Sequence, residues 1–244
     1  SDSRYQNYEN VANFFATATT PWGNNYQVYR AYTPTGMNDV VPYSNSLILN
    51  DHVFVPVVGN QADNAALATY RTAMPGYTVV GIDELYDAPW ENTDALHCRT
   101  HEIADLGMLL IRHYPTLGVQ PHQSSYTIQA DITAYSGQSL LADSVRIYYR
   151  IDSTTWQSTP MTHLTGKTWQ GTIPFTLNQG TVDYYISAKD GSGRIQKHPF
   201  IGAADPHRFT VSGVGIASLD KHPITIFPNP ANMAFAVRSE GLQN

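Results

Sequence analysis

A single cysteine, Cys98, leaves no partner for an intrachain disulfide in a chain of 244 residues. The fold must rest on side-chain packing, and any sulfur chemistry is that of a thiol or of a link to another chain. Charge is scarce as well. Charged residues make up 14%, against roughly 25% in an ordinary soluble domain. Lys and Arg number 14 and Asp and Glu 20, so 14 − 20 gives −6 with neutral His. A nucleic-acid binder would need a positive surface for phosphates, and this balance argues against one. No apolar run approaches the roughly 20 residues of a membrane span. The opening Ser1-Asp2-Ser3-Arg4-Tyr5 is polar with no apolar segment behind it, so no signal peptide is expected there. Either a leader has been removed or the chain starts inside a longer protein.

What the chain does have is apolar and aromatic bulk. Hydrophobic residues are 42% and Tyr alone numbers 16, enough to fill a core and to exclude disorder. Thr, Tyr, Asn and Ser are plentiful while Lys and Glu are sparse, a balance common among extracellular β-rich proteins. Length allows one large or two medium domains.

Residues 1–114 read as mixed α/β. Ser46-Leu47-Ile48-Leu49 is a short apolar strand, Asn50-Asp51 a two-residue turn, and Val53 to Val58 a buried strand. Pro56 inside it suggests an edge or a bulge. Ala62 to Met74 is helical, since Ala66, Tyr70 and Met74 recur every four residues with Leu67 and Ala73 beside them. Asp63 sits near its start and Pro75-Gly76 stops it. Tyr77 to Ile82 is the next strand. A strand, strand, helix, strand order is not a plain doubly wound repeat.

Residues 121–212 alternate instead. Tyr126, Ile128, Ala130, Ile132 and Ala134 form one series, Val145, Ile147, Tyr149 and Ile151 another. Trp169 to Ile173, Val182 to Ala188 and Arg208 to Val211 continue it, with turn clusters between. Strict alternation gives one packed and one wet face. Several such strands suggest an Ig-like or fibronectin-like sandwich, without the Cys pair of antibody domains. Its wet face shows no basic cluster in the sequence. Of Tyr148-Tyr149 and Tyr184-Tyr185, one ring each belongs in the core and one outside. The boundary is expected near Pro115 to Pro121.

Residues 213–244 form a third piece. Ser212-Gly213-Val214-Gly215 is linker-like. Ile224-Thr225-Ile226-Phe227-Pro228-Asn229-Pro230-Ala231-Asn232 and Phe235-Ala236-Val237 follow. This resembles the start of the C-terminal sorting domain of type IX secretion cargo; the plain alternative is one more hairpin of the sandwich. The resemblance implies a partner, the type IX secretion machinery, and a secreted or cell-surface location in a Gram-negative, Bacteroidetes-like cell.

The chemistry lies in Trp90 to Glu102. Cys98 stands between His97 and His101 with Arg99 beside it. Cationic neighbours favour a thiolate, the nucleophilic form. On spacing alone an inert buried Cys is the more ordinary reading. A zinc site built from Cys98 and two His is disfavoured, because HExxH would need a His where Asp105 stands.

Leu96-His97-Cys98-Arg99-Thr100 resembles the nucleophile motif of the Porphyromonas-type peptidylarginine deiminase and agmatine deiminase family. Pro42-Tyr43-Ser44-Asn45-Ser46-Leu47-Ile48-Leu49-Asn50 resembles that family's Tyr-x-Asn-Ser-Leu strand. The resemblance covers roughly residues 25–110 and implies part of a pentein, a five-bladed α/β propeller with a central active site. Asn92-Thr93-Asp94-Ala95, where agmatine deiminases usually have a Gly-rich run, and the downstream modules point to the peptidylarginine branch. The resemblance then implies a thiol attack by Cys98 on an arginine guanidinium in a peptide or protein substrate. Ammonia leaves, a thiouronium forms, and water releases citrulline. No cofactor and no metal are implied.

Asn45 matches a family position near substrate and nucleophile; its plain reading is a strand cap. Thr93 matches a position close to the bound peptide backbone; its plain reading is a loop hydroxyl. His97 should point away from the site if its segment is extended. The family's upstream Asp and His-x-Asp motif are not found: two positions after His52 comes Phe54. The chain is therefore expected to be a fragment, inert by itself. Trp22-Gly23 and Tyr26 to Arg30 are expected in a preceding blade, and Tyr32 to Asp39 in a surface loop. The alternatives are a non-catalytic surface or adhesion protein, or an agmatine deiminase.

Overall fold

The computed structural model describes residues 5–20, 25–33, 41–91, 94–213, 224–227 and 236–239. Helix α1 (Tyr5–Thr17) opens the chain with no buried residue. Arg30 reaches back to its Glu9 through both terminal nitrogens, the Nη2 to Oε2 bond being 3.1 Å. Tyr26 to Arg30 form no strand. Trp22-Gly23 and residues 34–39 lie outside the described residues.

Strands β1 (Leu47–Leu49) and β2 (His52–Val57) form the expected hairpin, with Leu49 opposite His52. Asn50 takes φ 53 in its turn, a left-handed conformation that Asn tolerates. Helix α2 (Gln61–Ala73) follows, then β3 (Thr78–Asp83) parallel to β2. Asn60 caps α2, and the Asp63 side chain closes the box by accepting from Asn60 N–H at 2.8 Å. Val53, Val55 and Val57 are buried in one core cluster with Ala66 of α2 and with Val41 and Tyr43. Tyr43 donates its hydroxyl to Asp63 Oδ1 at 2.7 Å, so the cap and the core share one carboxylate. Pairing with β1 ends at Phe54. Pro56 thus needs no partner on that side, although β2 is the middle strand of the sheet. Three strands and one helix are seen here, and the described residues close no propeller.

The second module has two sheets around one core. Strands β4 (Leu109–Arg112), β6 (Ser125–Ala134), β9 (Thr162–His163) and β10 (Thr168–Pro174) make the order β4-β6-β10-β9. Strands β5 (Gly118–Pro121), β7 (Arg146–Ile151), β8 (Gln157–Pro160), β11 (Gly180–Lys189) and β13 (His207–Ser212) make β5-β13-β11-β7-β8. Strand β12 (Ile195–His198) pairs with β11. Ile128 and Ile132 of β6 share a core cluster with Ile147, Val182, Tyr184 and Phe209 of the other sheet. This is the β-sandwich expected from the alternation.

Its first strand lies earlier than the expected boundary. Leu109 and Ile111 of β4 are buried in the sandwich core and pair with β6. Pro115 then breaks the chain, which re-pairs as β5, parallel to β13 in the other sheet. Pro115 lies where the chain leaves one sheet for the other.

On the wet face of the β11 sheet two arginines share one carboxylate. Arg150 and Arg208 both bond Asp183, which is 2% exposed beneath them. Arg146 lies on the same face of β7. Tyr149 and Tyr184 are buried, while Tyr148 and Tyr185 stack outside with centroids 4.9 Å apart.

At one end of the sandwich three histidines meet Tyr184. His113 Nδ1 lies 2.6 Å from the Gln129 carbonyl, which can only accept, so Nδ1 carries the proton. Its Nε2 then accepts from the Tyr184 hydroxyl at 2.8 Å. His198 Nδ1 is 2.9 Å from His207 Nε2. Burial pushes His113 down to about 4 and His207 down to about 3 from an ordinary 6.5. Burial lowers His198 too.

The tail shows β14 (Ile224–Phe227) antiparallel to β15 (Ala236–Ser239), paired with each other in a sheet of their own. Residues 228–235, which hold the turn, lie outside the described residues. Among the described residues no helix is long and apolar enough to cross a membrane.

Candidate functional site

Asn45 and Cys98 meet across fifty-three positions of sequence, with Asn45 Nδ2 donating to Cys98 Sγ at 3.1 Å. The contact is built from the backbone outward. A turn before β1 closes through Asn45 N–H to the Pro42 carbonyl at 2.8 Å. Tyr70 of α2 braces that turn, donating to the Tyr43 carbonyl at 2.8 Å and accepting from the Ser46 hydroxyl at 3.0 Å. Asn45, so held, reaches across to residues 95–98. Its Oδ1 accepts from Ala95 N–H at 3.2 Å and from Cys98 N–H at 3.3 Å. Its carbonyl accepts from His97 N–H at 3.2 Å. One asparagine therefore satisfies three backbone donors and touches the sulfur.

The segment bearing Cys98 is a turn and not an extended strand. Arg99 N–H bonds the Ala95 carbonyl at 3.1 Å, and Thr100 Oγ1 caps the Leu96 carbonyl at 2.8 Å. The expectation that His97 points away by strand alternation therefore does not apply. Its backbone N–H is the part that binds Asn45, and its side chain is exposed. Cys98 is exposed as well, against the inert buried reading. Thr93 lies outside the described residues.

Arg99 does something that local spacing did not reveal. Its Nε donates to Asp94 Oδ2 at 3.0 Å, its Nη2 to the Pro89 carbonyl at 2.9 Å and its Nη1 to the Ala88 carbonyl at 3.4 Å. Its guanidinium carbon sits 5.1 Å from the Trp90 ring centroid, a cation–π contact. Trp90 Nε1 bridges the carbonyls of Val57 and Ile82 at 3.1 and 3.3 Å. Arg99 thus ties the turn to the carboxyl ends of β2 and β3. The sequence signal was faint, because Trp90 and Val57 are thirty-three positions apart.

His101 and Glu102 are exposed and part of no metal cluster; among the described residues no three His, Cys, Asp or Glu gather to hold a metal ion. An open cavity of about 870 Å3 lies on the sandwich beside Arg112, His113 and Asp131, and Cys98 does not line it. Geometry, not cavity size, marks the site.

Residues 1–103 match the Porphyromonas-type peptidyl-arginine deiminase family. The match takes in α1, which the sequence motifs had left out, and ends just past the Cys98 turn. It spans the Asn45 and Cys98 partners together. Residues 104–244, with the sandwich and the tail, lie beyond it. The first 103 residues are thus similar to a family of amidine-acting hydrolases.

Proposed function

We propose that residues 1–103 are the nucleophile-bearing part of a peptidylarginine deiminase fold, one α/β unit of a pentein. The observation that carries this reading is the juxtaposition of Asn45 Nδ2 and Cys98 Sγ at 3.1 Å, at an exposed sulfur. In the proposed reaction the Cys98 thiolate bonds to the guanidinium carbon of a peptidyl-arginine. The tetrahedral adduct takes one proton on an amino group, from the His of the His-x-Asp that this chain lacks, and expels ammonia, leaving a cationic S-alkylthiouronium. Water adds to that carbon, the carbon–sulfur bond breaks, and citrulline and the thiol are released. Asn45 supports the step by fixing the sulfur and its turn. Thr93 is assigned to the peptide backbone on the family motif alone.

Two groups the reaction needs are not in the sequence. A planar cation is held by paired carboxylates, and a His must move protons; no His-x-Asp occurs in these 244 residues. We therefore expect no ammonia release from this chain alone. The test is a chimaera in which the upstream half of a Porphyromonas-type deiminase supplies the His-x-Asp and the first Asp. Citrulline on a C-terminal-arginine peptide, lost in Cys98→Ser, supports the reading; a folded chimaera without turnover refutes it. Faster turnover of agmatine than of peptide would move the assignment to the agmatine branch.

We read the second module as Ig-like, since its two sheets follow the A-B-E-D and A′-G-F-C-C′ orders of that sandwich. The tail we read as the start of a type IX sorting domain, which makes the protein secreted or surface-bound. A second reading, a non-catalytic surface protein, is favoured by the missing His-x-Asp. A deiminase chimaera indifferent to Cys98 would support it.

A further inference from the structure

Among the described residues the sandwich meets the first module at Gly76 and meets the segment that joins the two modules at Asp105, and both contacts flank β12. Gly76, at φ 85 in the turn before β3, lies against the residues that follow β12. A Cβ added to it would collide with Ala204 Cβ and stand 2.9 Å from Ile201 Cγ1. Arg194, the residue before β12, donates from Nε to Asp105 Oδ2 at 2.8 Å and from Nη2 to Asp105 Oδ1 at 2.9 Å. Its guanidinium also packs on Gly107, where an added Cβ would meet Nη2 at 2.9 Å.

Arg194 is a firm anchor. Its Nη1 donates to Ser192 Oγ at 3.1 Å and its N–H to Asp190 Oδ1 at 3.2 Å. Asp190 is 0% exposed and also accepts from Ser136 Oγ at 2.6 Å and Ser192 Oγ at 2.6 Å. The β11–β12 hairpin is therefore pinned before it reaches for Asp105.

Between the two contacts run β3, Trp90, the Cys98 turn and Arg99. His101 to Asp105 are exposed and outside any helix or strand. Seven residue steps lead from Cys98 to Asp105, a reach of at most about 25 Å. Fixing Asp105 shortens the tether on the turn and so raises its closure against Asn45. Without that bond Asp105 keeps its turn, accepting from Gly107 N–H at 2.9 Å and Met108 N–H at 3.1 Å, and the tether runs on to Met108, whose carbonyl accepts from Tyr135 N–H at 2.9 Å.

We propose that the stretch from Arg194 to Ala204 is the dock through which the sandwich positions the Cys98 turn against Asn45, with Arg194 as a positioning residue. The link to catalysis rests on the deiminase reading, whereas the test below does not. Amide hydrogen exchange of the full 244-residue chain, read at peptide level, reports opening of the turn directly. Arg194→Ala and Asp105→Asn are each expected to speed exchange of residues 95–99 by up to about twofold, the cost of lengthening the tether from Asp105 to Met108. Exchange in β6 and β11 stays unchanged. The exchanged pair, Arg194→Asp with Asp105→Arg, restores protection. Should Arg194→Ala loosen the sandwich itself, Asp105→Asn, which lies outside its strands, decides. A rise confined to 105–108, no rise at all, or an exchanged pair that fails to restore protection overturns the proposal.

Discussion

Lowering the pH from about 7.5 to about 5 should unfold the sandwich more readily, and the histidine cluster sets the size of the effect. His113 and His207 face one another with ring centroids 5.5 Å apart, and His198 lies 5.1 Å from His207. In the fold their values are held at about 4 and about 3, against 6.5 outside it. The folded state therefore prefers the neutral rings. Their contribution is complete above 6.5 and is lost as pH falls below it toward the folded values. At about pH 5 the unfolded chain has gained both protons and the fold almost none. Each ring then weakens the fold by about 2 kcal/mol, together about 4 at most because the pair is coupled. That is a fall of about 1–2 M in the urea midpoint. The window stays above the carboxylates, whose losses begin lower. His113→Gln and His207→Gln should each flatten the slope, even where they reduce stability at neutral pH. A midpoint constant across the window, or a slope unchanged in both variants, would refute the reasoning.

Asn45→Ala removes the acceptor for Ala95 and Cys98 N–H and the donor to the sulfur. The turn should open by about 1–3 kcal/mol, seen as faster amide exchange at residues 95–98 with α2 unaffected. Asp63→Ala strands the Tyr43 hydroxyl and Asn60 N–H. It should cost the first module about 2–4 kcal/mol in thermal unfolding, leaving the sandwich transition in place. Gly171→Ala would drive a methyl to 2.6 Å from Ile147 Cδ1 and 3.1 Å from the Pro160 carbonyl. It should destabilise the sandwich by about 1–3 kcal/mol in the same measurement.

The regular elements were legible where period and punctuation agree. Asn50-Asp51 marked the hairpin, Pro75-Gly76 the end of α2, and alternation along Tyr126 to Ala134 the longest strand of its sheet. Strands that are short or pair late in the chain were not: β4 depends on β6 for its meaning, and β12 on β11. The Arg150–Asp183–Arg208 cluster escaped notice because its members come from β7, β11 and β13, far apart in sequence. At the site, Cys98 and Asn45 could be named only through motif likeness. Their contact depends on a turn closed by tertiary hydrogen bonds, which no local pattern encodes. The Arg99 clamp on Trp90 and Asp94 was invisible for the same reason.

The proposed reaction requires Cys98 Sγ to be the atom that bonds the substrate carbon. Acid quenching of the chimaera during turnover of an arginine peptide, followed by peptide mapping, tests this directly. The predicted result is a thiouronium adduct on the peptide that contains Cys98, absent in Cys98→Ser. Turnover that leaves Cys98 unmodified while another residue carries the adduct would contradict it.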